Sequence, residues 1–222
     1  MKKLLLLLFL SGFIRASFAQ SVHFGIRAGL NESALSRTDF VDSRDIIKGS
    51  SSHISRFQAG LFADISAGRL SIESGVFYSQ KGGETKVQST TDSISQKYDE
   101  KITLNYLEIP VNILYNIPVG IGKIFVGGGP YVAFGLSARY RSNYYVSAGQ
   151  NTQTGETQGE ITFNKNGYKN PDYGINTLLG LRLKNNMSFN VGYGLGLTNL
   201  YRGSGSSVKN EVLSISLGYE FL

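Results

Sequence analysis

From Val212 to Phe221 apolar and polar residues alternate without a break. Leu213, Ile215, Leu217, Tyr219 and Phe221 form one row, and Ser214, Ser216, Gly218 and Glu220 form the other. Period two is the signature of a β-strand. The same pattern runs through 187–199, where Met187, Phe189, Val191, Tyr193, Leu195 and Leu197 face away from Ser188, Asn190, Gly192, Gly194, Gly196 and Thr198. That second row carries no charge and three glycines, which suits a crowded barrel interior and not a face washed by water. The apolar row then points outward, towards lipid. A soluble barrel of the lipocalin kind would reverse the two rows and need a water-loving exterior.

The pattern predicts strands at 22–31, 53–66, 70–82, 102–116, 124–140, 173–184, 187–199 and 208–221. The connections alternate in length: 32–52 is long, 67–69 short, 83–101 long, 117–123 short, 141–172 longest, 185–186 a tight pair, and 200–207 intermediate. Bacterial barrels have an even number of strands, short periplasmic turns and longer outer loops, with both termini periplasmic. The expected fold is therefore all-β, an eight-stranded antiparallel up-and-down transmembrane β-barrel. Asn185-Asn186 suits a hairpin because Asn tolerates positive φ. In the fourth strand the apolar parity changes from Ile102, Leu104 and Tyr106 to Ile109, Val111, Ile113 and Tyr115, so a bulge or a local twist is expected near Leu107 to Pro110. The run Gly127-Gly128-Gly129-Pro130 reads as curvature, since no helix follows that would make it a phosphate loop.

The N-terminus supplies an address. Lys2 and Lys3 precede an apolar run from Leu4 to Ile14, and Ser17-Phe18-Ala19 offers the small residues of a cleavage site. Residues 1–19 are read as a cleavable signal peptide and 20–222 as one barrel domain. Removing the signal takes away three bases and no acid, lowering the net charge from +6 to +3. That charge is scattered, which excludes a nucleic-acid footprint. With no Cys there is neither a lipoprotein acylation site nor a disulfide.

Three stretches carry a family likeness: Phe24-Gly25-Ile26-Arg27-Ala28-Gly29-Leu30-Asn31, Tyr106-Leu107-Glu108-Ile109-Pro110-Val111 and Gly128-Gly129-Pro130-Tyr131-Val132-Ala133. They resemble the PorT-like outer-membrane β-barrels of Bacteroidetes-type bacteria, over essentially the whole mature chain. The resemblance implies an outer-membrane location and identifies an architecture better than an activity. Its founding member serves a secretion and gliding apparatus. The C-terminus resembles the aromatic-ended signal read by the barrel-assembly machinery, although it ends at Leu222, one residue past Phe221.

Placing the apolar rows outward leaves Arg27, Arg56, Asp64, Glu73, Lys81, Glu108, Arg139, Arg182, Lys184 and Glu220 facing in. Arg27, Asp64, Glu73, Arg182 and Glu220 lie towards the periplasmic strand ends and are expected to form an interior charge network, with Glu108 a further member. Eight strands enclose only enough room for side chains, so the network is read as filling the lumen. A narrow pore for solutes or ions is the alternative. His53 beside Ser50, Ser51, Ser52 and Ser55 admits an outer-leaflet lipid-modifying enzyme as a second alternative, but no G-x-S-x-G pattern supports it. With His23 and His53 the only histidines, neither metal nor cofactor is expected. The third loop holds Tyr144, Tyr145, Phe163 and Tyr168. The first two are read as extending a strand and its aromatic belt, and Phe163 and Tyr168 as candidates for binding a protein or glycan. Expected partners are outer-membrane lipid, the assembly machinery, and other envelope proteins or an extracellular ligand.

Overall fold

A computed structural model of the chain describes residues 20–39, 48–91, 94–148, 151–164, 167–202 and 206–221. Residues 1–19, expected as a signal peptide, lie outside them. The described residues form ten strand segments: β1 Gln20–Asp39, β2 Lys48–Ser52, β3 Ile54–Ala67, β4 Leu70–Thr91, β5 Ile94–Val119, β6 Gly122–Ala148, β7 Asn151–Ile161, β8 Asp172–Leu183, β9 Met187–Gly196 and β10 Ser206–Glu220. Eight of them close a ring of antiparallel neighbours in the order β1, β3, β4, β5, β6, β8, β9, β10. The ring is shut by β1 against β10, with Gly25 opposite Glu220 and Ala28 opposite Leu217. No sheet edge is left within the ring, as a lipid environment demands of any β-structure.

Side-chain alternation explains the closure. Outward positions are apolar and bare, with Leu61, Ile113 and Ile215 each 62% exposed. Inward positions are buried, including Asn31, Asp64, Glu73, Asn112 and Asn190. An outside of Leu, Ile, Val and Phe around an inside of Asn, Ser and charge is the inverse of a soluble core, and hydrocarbon is the solvent that stabilises it. Aromatic rings fill the interior by lying on glycines of neighbouring strands. A Cβ at Gly25 would come within 2.6 Å of the Phe62 ring, and one at Gly127 or Gly129 would overlap the carbonyl oxygen of Ile113 or Val111. The glycines of β6 thus permit the close approach of β5 there.

The short connections fall at one end. Gly68, in the turn between β3 and β4, has φ +63°, and Asn186, between β8 and β9, has φ +68°. Gln20 and Glu220 lie at this same end, because Gln20 pairs with Ala67 and Glu220 with Gly25.

Three expectations are corrected. The stretch expected as loop 83–101 is strand: β4 and β5 run on together as far as Thr91 opposite Ile94. The loop 141–172 is largely a hairpin, with β6 pairing β7 from Ala138 opposite Ile161 to Ala148 opposite Asn151. Together with β2 these segments form a sheet standing beyond the ring, wet on both faces, so no apolar stripe marks it. Third, β5 keeps its phase, with Ile102, Leu104, Tyr106, Pro110, Asn112, Leu114 and Asn116 all buried at even positions. What changes is the chemistry of its inner face, from apolar to polar. The register shift lies on β6, where Ser137 opposes Asn105 and Gly135 opposes Tyr106, leaving Leu136 as the extra residue. Near Pro110 the ladder to β4 is interrupted between Val111 and Glu108, and Ser74 donates its hydroxyl to the Pro110 carbonyl at 2.8 Å.

Candidate functional site

The interior is built in layers. At the short-turn end the ladder sets Asp64 of β3 directly opposite Glu73 of β4, two like charges that must be balanced from elsewhere. The balance comes across the lumen. Arg27 of β1 forks onto Glu73, its two terminal nitrogens donating at 2.9 and 2.6 Å. Arg182 of β8 lies 2.6 Å from Glu220, 3.6 Å from Asp64 and 4.0 Å from Glu73. Asp64 also accepts from the hydroxyls of Ser66 and Ser71, at 2.5 and 2.9 Å. Aromatic faces cover the cations: Arg27 stands 4.6 Å from the Phe62 ring centre and Arg182 5.4 Å from that of Phe125. All five charged residues are at least nine-tenths buried.

A second charged layer lies further from the short turns. Lys81 of β4 meets Glu108 of β5 at 2.6 Å and stands 4.2 Å over the Tyr131 ring. Asp172, at the start of β8, accepts from Asn210 at 2.9 Å and from the Tyr131 hydroxyl at 3.4 Å. Asp172 and Asn210 are members that the strand reading missed. Asp172 shares the inward parity of Arg182, and Asn210 that of Glu220, so extending each row to its end finds both. Between the layers lies a cavity of about 60 Å³, lined by Asn31, Ser79, Lys81, Glu108, Asn112 and Asn176 among others. It has room for on the order of four water molecules.

Above the second layer the mouth is closed by an apolar plug of Leu35, Ile102, Leu104, Tyr106, Ala133, Ala138, Leu200 and Val208. Tyr168 belongs to this plug and is 8% exposed. Phe163 packs its ring 5.8 Å from that of Tyr106 and over Gly135. Of the two residues expected as a loop-borne binding surface, Tyr168 is thus buried in the plug and Phe163 is half-buried against it.

The other inward assignments divide. Arg56 is half-buried and donates to the Thr103 hydroxyl at 2.8 Å, apart from both layers. Arg139 faces outward, because the extra residue Leu136 inverts the parity of β6 beyond it, and it pairs with Glu160 at 3.7 Å. Lys184 is exposed in a short turn. His53 is exposed between β2 and β3, while the nearby Ser55 hydroxyl donates to Glu32.

A closed ring of eight antiparallel strands, apolar outside and charged within, defines a transmembrane β-barrel. The family profile described as outer membrane protein beta-barrel domain matches residues 18–202, and the chain belongs to that family. Among solved structures it is similar to Neisserial surface protein A, at 13% identity over 90% of this chain and 99% of that one, with TM-score 0.37. It is also similar to Ail, the attachment invasion locus protein of Yersinia pestis, at 11% identity over 90% and 98%, TM-score 0.40. OprG from Pseudomonas aeruginosa is a third, at 16% identity over 91% and 97%, TM-score 0.40. No curated protein matches.

Proposed function

We propose that this outer-membrane barrel does not conduct and does not catalyse, but holds a partner at its long-loop end while its lumen serves as a rigid, sealed core. The termini and short turns lie on the periplasmic side in this reading, and the extended sheet of β2, β4, β5, β6 and β7 faces outward. One observation carries the proposal: two buried charged layers and an apolar plug fill the lumen, and the cavity between the layers holds only about 60 Å³. Charges paired this closely across a lumen stabilise it against opening, since separating them leaves buried ions unpartnered. The PorT-like motifs support the same reading, with a role accessory to an envelope or secretion machine.

Flux through proteoliposomes tests it. Vesicles carrying the protein should swell in a small-sugar gradient no faster than empty vesicles. A photo-reactive residue at Thr154 should give discrete protein adducts in native membranes, and one at Ile215, among the lipid-facing rows, should not. Swelling above background would favour a pore.

A further inference from the structure

The ring has no edge, but the sheet above it has one of unusual length. β7 spans Asn151–Ile161 and, among the described residues, pairs with β6 alone. Its other side presents a row of backbone N–H and C=O groups to solvent. Edge strands normally carry protection against pairing: Pro, Lys, a bulge, or extreme shortness. β7 has no Pro, Lys or Arg, and its ladder to β6 runs unbroken from Ile161 to Asn151. Its only charges, Glu156 and Glu160, are already engaged by Arg141 at 3.2 Å and Arg139 at 3.7 Å. The other free edge of this sheet, β2, is five residues long.

The inner face adds a shape. Gly155 and Gly159 lie four residues apart on one row of β7, opposite Tyr144 and Tyr140 of β6. Each tyrosine ring leans over its glycine: a Cβ at Gly159 would stand 2.7 Å from the Tyr140 ring, and one at Gly155 would overlap Tyr144. The rings therefore lie over β7 itself, filling the space that side chains at Gly155 and Gly159 would take and bringing their hydroxyl ends onto the edge strand.

We propose that the free edge of β7 accepts an extended segment of another polypeptide as an added strand, with apolar or aromatic side chains four residues apart packing beside the Tyr144 and Tyr140 rings that lie over Gly155 and Gly159. The inference rests on the partner-binding reading and names the surface and the partner's form. Backbone pairing supplies affinity in this mode and the alternate side chains supply selectivity. A second copy in the same membrane does not fit. Its β7 would rise in the same sense, and with strands tilted about 35–45° the two edges would cross at roughly 70–90° instead of aligning. The occupant is thus a flexible segment of a different protein.

The test uses the full chain in lipid nanodiscs and a display library of short linear peptides as the probe. Enriched peptides should carry apolar or aromatic residues four apart and should slow amide exchange across 151–161 by roughly tenfold or more. A Thr154→Lys/Thr157→Lys variant, which places charge on both faces of the edge, should lose that binding while keeping the folded barrel's gel mobility. Tyr144→Ala should weaken it without altering the ladder. Peptides that protect other outer segments and leave 151–161 exchanging freely would overturn the edge proposal while leaving partner binding in place. Failure to enrich any peptide would also overturn it, whereas failure of the sealed-barrel reading shows separately as vesicle swelling.

Discussion

Replacing Arg182 by Met removes the cation that meets three carboxylates and keeps most of its volume. In the wild type Arg182 lies 2.6 Å from Glu220, 3.6 Å from Asp64 and 4.0 Å from Glu73, and once it is gone Arg27 and the more distant, half-buried Lys123 are left to balance them. Arg27 is already committed to Glu73, so Asp64 and Glu220 lose their close cation. Breaking a buried pair from one side costs about 3–5 kcal/mol. Glu220→Gln in the same chain removes the nearest of the stranded charges, so the double variant should recover about 1–3 kcal/mol relative to the sum of the singles. The chain contains no Trp, so unfolding is followed by the mobility difference between folded and unfolded barrel on unheated gels across a urea series. Strictly additive effects, within about 0.5 kcal/mol, would refute the claim that these residues act as one network.

Further outcomes follow from the same geometry. Lys81→Met should destabilise by about 3–5 kcal/mol, since it strands Glu108 beside Asp172, and Lys81→Met/Glu108→Gln should be milder; the same gel series reads both. Ile215→Arg places a charge on the lipid face and should cost about 2–4 kcal/mol if that position lies near the bilayer midplane, whereas Arg139→Leu, on the protruding sheet, should change little. Gly180→Ala should cost about 1–3 kcal/mol by forcing a methyl to within 2.7 Å of the Phe189 carbonyl oxygen and into the Phe125 ring, while Gly120→Ala meets nothing within 4 Å and should be neutral in unfolding midpoint.

Period two is a strong constraint where one face is uniformly apolar, and this explains which parts of the molecule are legible in its sequence. In β10 the row from Leu213 to Phe221 leaves Ser214 to Glu220 no face but the lumen. The same logic puts Arg27, Asp64, Glu73 and Arg182 on inward rows. Which of them touch depends on ladder register and side-chain reach, and no single strand carries that information: Lys81 pairs with Leu104 and Glu108 with Phe77, and the two long side chains close that four-residue stagger to 2.6 Å. Arg139 is misread because one extra residue at Leu136 inverts everything after it, and nothing in the local sequence signals the insertion. β7 escapes for a different reason. Asn-Thr-Gln-Thr-Gly-Glu-Thr-Gln is wet on both faces, so it shows no alternation, although its threonines favour extended backbone. Phe163 and Tyr168 look like loop aromatics until the chain folds back and spends them on the plug.

Planar-bilayer recording of the purified full-length barrel tests the sealed lumen most directly. Wild type should give no steady single-channel steps above those of the bare membrane across moderate voltages. Steady currents whose size changes on Arg182→Ala or Glu108→Ala would contradict it, because they would place these residues along an open path through the barrel.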